Sequence, residues 1–474
     1  MRLLLHILIG KMTREIMLMI EPEFILDETQ QIAVNRCVDM SSTNRIVPIS
    51  GVAGTGKTTI IKFVYNTLSA AGYHVVLCAP TGKAAKRIYE ATGIKAQTIH
   101  SLLEYPYPGE RDAKTGKVLV PTDPKRGRKH TLDQKIIIAD EYAMVGLELH
   151  SNLVAALPSG GRLLMFGDVN QLRPIEQHKL YRKESPFEQG IRRFNGIVLT
   201  TIHRHSEGSG IVKNGKLILC GRIPKREDDF TMIITKQPVK ELSNYVMAAV
   251  EDGINFSAVG YQIISPTKKS WVGTYKINQV LQKIFCPTKR GDCKLKLARH
   301  DWEQKLPVSV GVGDKIIWTE NRYDLRDVWE CYSSDEHIAD NFIEVPPNKK
   351  IMNGEIGVIK RIYDSGDIDI DVGDRVVSVP VSVTGENKYG VYQFDPRKAI
   401  ELAYCITTHK SQGSEYDRII YVLNSSTAFI QCRPNFYTAI TRAKKHVTII
   451  TDQYSLTNAV FNTISRVERL RRNK

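Results

Sequence analysis

The segment Gly51-Val-Ala-Gly54-Thr55-Gly56-Lys57-Thr58 fits the pattern GxxxxGK[ST] at every fixed position. A short apolar run, Arg45 to Ser50, leads into it, and Thr59 to Ala71 follows with Ile60, Ile61, Val64 and Leu68 at helical spacing. Strand, glycine loop and helix thus come in the order that a phosphate cradle requires. Glycines let the backbone curl so that successive N–H groups point at phosphate oxygens. Lys57 adds a point charge near the outer phosphates, and Thr58 can ligate Mg²⁺. Gly51, Gly54, Thr55, Gly56, Lys57, Thr58 and Thr59 are therefore the expected contacts of a nucleoside triphosphate, with ATP and Mg²⁺ as the expected cofactors.

Such a cradle needs a carboxylate for the metal at the end of a neighbouring strand. Lys135 to Ala139 (KIIIA) reads as a buried strand, and Asp140-Glu141 follow it at once. Asp140 is expected to hold Mg²⁺ through water and Glu141 to polarise the attacking water. A further strand, Arg162 to Phe166, ends in Gly167-Asp168-Val-Asn-Gln171. A polar amide just past a parallel strand lies on the carboxyl edge of the sheet, which makes Gln171 a candidate γ-phosphate sensor.

The elements that must position these groups follow from the pattern. Strands near Arg45, His74, Lys135, Arg162 and Ile197, separated by helical stretches, predict an α/β domain with a parallel sheet over residues 26–205. It is interrupted at about 102–130 by Tyr105-Pro-Tyr107-Pro-Gly and by Lys125-Arg-Gly-Arg-Lys129, a plausible hairpin beside a nucleic acid or else a solvent-exposed loop. A second α/β domain is expected in two pieces, 206–305 and 397–474, with a helix at Ile211 to Gly221, a buried strand at Tyr261 to Pro266, and the sheet resuming at Ala399 to Thr407. Between the pieces, 306–396 holds Lys315-Ile-Ile-Trp-Thr, Glu355-Ile-Gly-Val-Ile, Asp367-Ile-Asp-Ile-Asp and Arg375-Val-Val-Ser-Val, whose apolar/polar alternation predicts half-buried antiparallel strands. That insert reads equally as a structural element or a DNA guide.

At 474 residues the chain has room for two or three domains. Lysine plus arginine exceed aspartate plus glutamate by 66 to 51, a formal charge of +15, which favours a polyanionic partner without separating DNA, RNA or an acidic surface. Eight scattered cysteines with no CxxC pair indicate neither a zinc ribbon nor a disulfide framework and suit a reducing cytoplasm. Residues 1–25 form a leader whose apolar run, Leu3 to Ile9, is too short to span a bilayer; a translated upstream extension or an amphipathic leader is expected ahead of a secretory signal. No membrane association is expected.

Taken in order, Gly51 to Thr58, Asp140-Glu141-Tyr-Ala-Met, Gly167-Asp-Val-Asn-Gln-Leu, His203-Arg204, Glu401 to Glu415 and Thr438-Ala-Ile-Thr441-Arg442 resemble the motif series of the superfamily 1 helicases, most closely the RecD-like branch with the phage Dda-type helicases. The resemblance runs from about Leu26 to Ile450. It implies two RecA-like motor domains, a small hairpin insertion in the first and an SH3-like β-barrel insertion in the second. Leu26-Asp-Glu-Thr-Gln30 is similar to the family's Q motif, whose glutamine reads the adenine edge; Asp27 as a helix N-cap is equally compatible. Arg204 and Arg442 match arginines that reach the γ-phosphate from the two motor domains, although Ile-His-Arg-His departs from the family's usual Tyr-Arg-Gln or Tyr-Arg-Phe. Shared by both arginines, the γ-phosphate closes the cleft, and hydrolysis releases it.

Further site residues come from the same resemblance. Thr81, Lys83, Thr98 and His100 match first-domain motifs that hold a DNA backbone, and a threonine hydroxyl with lysines at a helix start suits phosphate. A solvated helix face explains Lys83 and Lys86 as well. Thr407, His409, Lys410, Ser411 and Gln412 match positions facing DNA, and Gly413 and Glu415 approach the nucleotide. The implied activity is an ATP-dependent DNA helicase moving 5′ to 3′, with single-stranded DNA and its junctions with duplex as partners and single-strand-binding or replisome proteins as further ones. An RNA helicase and an ATP-switched loader remain as alternatives.

Overall fold

The computed structural model describes residues 26–106, 123–174, 184–203, 208–256, 260–286, 295–297, 308–320, 326–328, 351–387 and 390–464. Residues 1–25, Tyr107 and Arg204 lie outside these residues. The chain divides into two compact units, one ending at Gly208 and the other beginning at Ser209.

The first unit runs α1 (Glu28–Val38), β1 (Ile46–Gly51), α2 (Lys57–Ala70), β2 (Val75–Ala79), α3 (Gly82–Thr92), β3 (Ala96–Thr98), the single turn α4 (Ile99–Leu102), β4 (Ile136–Ala139), α5 (Leu147–Ala155), β5 (Arg162–Gly167), α6 (Pro186–Arg193) and β6 (Ile197–Leu199). Its sheet has the order β3-β2-β4-β5-β1-β6, and every neighbouring pair is parallel. β4 and β5 are buried at every position, as both-face coverage requires, which is why IIIA and RLLMFG read as continuous apolar runs. β3 is a sixth strand beyond the five expected, because Ala-Gln-Thr is too short and polar to stand out. Helix α1 is locked to the sheet by Arg162, buried in β5, whose Nη1 donates to Cys37 O and Asp39 O at 2.9 Å and Nη2 to Arg36 O at 3.1 Å. These are carbonyls at the end of α1, the place where a guanidinium both caps and complements the helix dipole. Around the expected hairpin, Arg126 N donates to Leu103 O at 3.1 Å, so the two flanks meet.

In the second unit come α7 (Gly210–Leu219), β7 (Phe230–Ile234), α8 (Pro238–Glu251), β8 (Tyr261–Ser265), α9 (Thr274–Phe285), β9 (Leu295–Leu297), β10 (Val308–Val310), β11 (Lys315–Trp318), β12 (Arg326–Val328), β13 (Ile356–Ile362), β14 (Ile368–Asp371), β15 (Val376–Val379), β16 (Val383–Asn387), β17 (Gly390–Phe394), β18 (Ile400–Leu402), β19 (Cys405–Thr407), the single turn α10 (Thr408–Ser411), β20 (Tyr416–Val422), α11 (Arg433–Ile440), β21 (Ala443–Thr451) and α12 (Gln453–Phe461). A parallel sheet has the order β19-β8-β20-β21-β7. A second sheet, β12-β15-β14-β13-β11-β18, is antiparallel throughout. One apolar cluster, including Ile263, Trp318, Ile370 and Tyr404, runs through both.

Two expectations are corrected here. Ala399 to Thr407 is not one strand: Ile400–Leu402 pairs antiparallel with β11, and only Cys405–Thr407 joins the parallel sheet, so the antiparallel sheet extends past residue 396. The switch between sheets leaves backbone groups that side chains must satisfy. Asn278 Nδ2 donates to Leu402 O and Cys405 O while its Oδ1 accepts from Cys405 N, and Gln262 Nε2 donates to Ala403 O and Tyr404 O. Lys315–Trp318 is also fully buried rather than half-buried; the Lys315 ammonium is accommodated by Tyr261 O at 2.6 Å.

Candidate nucleotide and nucleic-acid sites

Gly54 and Gly56 sit at φ 86° and 76°, the left-handed region that glycine enters without strain, and the loop between β1 and α2 curls accordingly. Lys57 Nζ donates to Gly51 O at 2.7 Å and Val52 O at 3.2 Å, and Thr55 Oγ1 donates to Val52 O at 2.9 Å. A Cβ on Gly51 would run into the Thr55 side chain and Leu199. Thr58 and Thr59 fall in the first turn of α2, where N–H groups lack helical partners.

The loop is clamped from outside by two groups. Gln30 is fully buried; its Nε2 donates to Thr55 O at 3.1 Å and its Oε1 accepts from Asp27 N, closing a capping box at the start of α1. Gln30 therefore braces the cradle in this structure, and the N-cap expectation for Asp27 holds. From the other side, His203 N donates to Gly54 O at 2.7 Å and its Nε2 lies 2.8 Å from Asp27 Oδ2. Burial alone would raise the Asp27 carboxyl, but hydrogen bonds from Gln30, Thr29 and His203 outweigh it and hold the group down at about 2. The stretch just before Arg204 is thus anchored to the cradle.

Because β5 lies between β1 and β4, the cradle and Asp140-Glu141 end on strands one apart at the carboxyl edge, where open α/β sheets bind ligands. Asp140 Oδ1 accepts from Glu141 N at 2.8 Å. Burial first, then the neighbouring Glu141 carboxylate, push the Asp140 carboxyl up to about 6 against the pull of Lys57 and Arg87. A cation relieves such a pair. Glu141 is nearly buried and has φ 51°, a conformation that costs a non-glycine residue of order 1–3 kcal/mol and that clusters at active sites. Arg87 of α3 approaches Glu141 Oε1 at 3.8 Å, a contact invisible in sequence because it joins a helix to a strand end 54 positions away. Gln171, past β5, is buried with Oε1 lacking a partner among the described residues. A curled N–H cradle, a metal-type hydroxyl and carboxylate, and an orphaned buried amide oxygen fit a magnesium nucleotide.

On the same unit, Thr81 and Thr98 are helix N-caps, accepting from Ala84 N at 3.2 Å and Ser101 N at 3.0 Å. Lys83 is half-buried and His100 is exposed, with its ring centroid 4.9 Å from that of Tyr105. Tyr105 is half-buried, and its hydroxyl accepts from Asn152 Nδ2 at 2.8 Å, so it braces the base of the insertion.

In the second unit, Thr407 caps α10 by accepting from Lys410 N, and His409 and Lys410 are half-buried. Lys410 Nζ contacts Glu401 Oε2 at 2.5 Å. Ser411 is fully buried, and its hydroxyl donates to Thr408 O at 2.7 Å, so this fold assigns it to shaping the turn rather than meeting a strand. Gln412 is nearly buried; Gly413 has φ 70°, and Glu415 faces Lys444 at 3.8 Å. Arg442 is also nearly buried, with Nε donating to Thr438 O at 3.1 Å and Nη1 to Ser414 O at 3.4 Å. The turn after β19 and the guanidinium of Arg442 are therefore linked through Ser414.

This fold and site define the class of P-loop nucleotide-binding proteins with a second parallel-sheet unit. A model described as an AAA domain matches residues 23–177, and one described as a UvrD-like helicase C-terminal domain matches residues 402–450. The ATP-dependent RecD2 DNA helicase of Deinococcus radiodurans is 26% identical over 407 residues, 86% of this chain and 47% of the relative, so the chain spans about half that protein's length. The RecBCD enzyme subunit RecD of Mycolicibacterium smegmatis is 24% identical, covering 90% of this chain and 71% of the relative. In fold, the chain is similar to Pif1 helicase from Bacteroides in complex with ADP-AlF3 and ssDNA, with a TM-score of 0.52 at 18% identity over 92% of this chain and 95% of that one. In sequence the chain is thus similar to RecD-type helicases, and in fold to Pif1 helicase. No helix among the described residues is long and apolar enough to cross a membrane.

Proposed function

We propose that this protein is an ATP-dependent DNA helicase that moves 5′ to 3′ along single-stranded DNA and separates the duplex ahead of it. The observation that carries the reading is the carboxyl edge of the first sheet, where Lys57, Asp140, Glu141 and Gln171 stand at the ends of three adjacent strands in the order hydrolysis needs. Thr58 and Asp140 would hold Mg²⁺, which when bound neutralises charge on the phosphates. Lys57 holds the outer phosphates, Glu141 orients the attacking water, and Gln171 senses the γ-phosphate. Arg204 and Arg442 are assigned as arginines acting on the same phosphate, on the strength of their motifs.

Thr81, Lys83, Thr98, His100, Thr407, His409 and Lys410 are proposed to face the strand, with Gly413 and Glu415 towards the nucleotide. The antiparallel sheet at 306–402 is taken as the β-barrel insertion of the family, and the segment flanked by Tyr105 and Lys125 as the hairpin insertion.

Lys57→Ala is expected to lower ATP turnover by at least about a hundredfold, the scale on which one preorganised charge-stabilising donor acts, while single-strand binding persists. The test is steady-state ATPase with DNA or RNA oligonucleotides. Strong stimulation by DNA that Lys57→Ala removes supports the proposal; stimulation by RNA alone moves the substrate to RNA, and hydrolysis at the normal rate in the variant removes the cradle from the active site.

A further inference from the structure

We infer that Trp271 is a base-stacking platform for single-stranded DNA on the second unit, an inference that rests on the helicase reading and extends it to a residue no motif assigns. Trp271 is 74% exposed, the most exposed of the large apolar side chains among the described residues. Scattered exposed apolar residues are ordinary, so exposure alone decides nothing. The loop that carries this one is braced. Val272 beside it is fully buried, and its carbonyl accepts from Ser265 Oγ at 2.7 Å. Thr274 N donates to Thr267 O and Gly273 N to Ser270 O, both at 3.0 Å, and a Cβ on Gly273 would collide with the Lys268 carbonyl. The indole is therefore held out by a rigid turn, the preorganised form in which an aromatic contact is least costly in entropy.

Lysines flank it along the chain. Lys268 and Lys269 precede Trp271, and Lys276 follows on α9. Lys268 Nζ contacts Glu401 Oε1 at 3.1 Å, and Lys410 Nζ contacts Oε2 of the same carboxylate. One glutamate thus gathers a lysine of the Trp271 loop and a lysine of the α10 turn, which the helicase reading already places on the strand. Lys268 also lies 5.9 Å from the Tyr275 ring centroid. An exposed flat ring beside convergent ammonium groups fits a chain of alternating aromatic faces and phosphates. Only an unpaired base can offer its face, so the partner is a single strand and not a duplex.

Binding of a fluorescent oligodeoxythymidylate to the full chain, titrated at several salt concentrations, tests this. Stacking on one aromatic contributes on the scale of about a fivefold to hundredfold change in affinity. Trp271→Ala is expected to weaken binding by at least about fivefold with an unchanged salt slope, Trp271→Phe to restore most of it, and an abasic oligonucleotide of the same length to bind both variants and the parent alike. Lys410→Ala, by contrast, makes the salt slope shallower by under about one unit. Thermal melting of Trp271→Ala should match the parent, as an exposed side chain implies. If the parent binds the strand and Trp271→Ala binds it equally, or loses affinity equally for the abasic probe, the platform is wrong and the helicase reading stands. If the parent binds no single strand, both fall.

Discussion

Replacing Arg442 with lysine is expected to depress DNA-stimulated ATP turnover by about 10³ to 10⁵, the range over which an arginine finger acts on a transferring phosphoryl group, with KM for ATP changing far less. Charge on the phosphoryl oxygens is greatest in the transition state, so a guanidinium that meets them acts on kcat. Lysine keeps the positive charge but loses the planar fork. The structure supplies a competing explanation that the measurement separates. Arg442 is nearly buried and bonded to Thr438 O and Ser414 O, so a purely structural arginine would also be missed. In that case the variant would melt at lower temperature and lose less than about tenfold in kcat once folded. Burst and steady-state kinetics on folded protein distinguish the two.

Glu141→Gln is the second large effect, about 10² to 10⁴ in turnover, the contribution of a positioned general base. The substitution keeps shape and removes the carboxylate. It keeps the residue at φ 51°, so the turn after β4 is not relieved of its strain, and it removes one partner of Arg87. Magnesium-nucleotide affinity should be retained, because Asp140 and Thr58 are untouched. Loss of nucleotide affinity with turnover unchanged would reassign Glu141 from base to ligand.

Glu141 and the phosphate cradle were legible because each lies in a local pattern, whereas Arg442 was assigned only through the resemblance of its motif. A glycine loop between an apolar run and a helical run, or an acidic pair ending IIIA, needs no knowledge of the remote chain. What escaped the sequence is what depends on remote partners. The bonds of Gln30 to Thr55 and Asp27 could not be read from its own segment, because Thr55 lies 25 positions away. Arg87 gave no signal beyond that of a solvated helix, and Ser411 in a polar run gave no sign of full burial. The run Glu401-Leu-Ala-Tyr-Cys-Ile-Thr407 is apolar on both sides of a sheet change, and only Asn278 and Gln262, over a hundred positions earlier, mark where it leaves one sheet for the other. Alternation located β13, β14 and β15, and β15 has the alternating burial of a half-buried strand, but β14 is buried at three successive positions, Ile368 to Ile370, with Asp369 taken inside.

The central claim, a motor that separates strands from a 5′ single-stranded tail, is tested most directly by ATP-dependent strand displacement on duplexes bearing either a 5′ or a 3′ tail. The proposed function predicts displacement of the 5′-tailed duplex, dependent on hydrolysable ATP and absent in Lys57→Ala. Displacement of the 3′-tailed duplex alone would contradict the direction, and ATP hydrolysis stimulated by single strands with neither duplex opened would contradict the helicase itself.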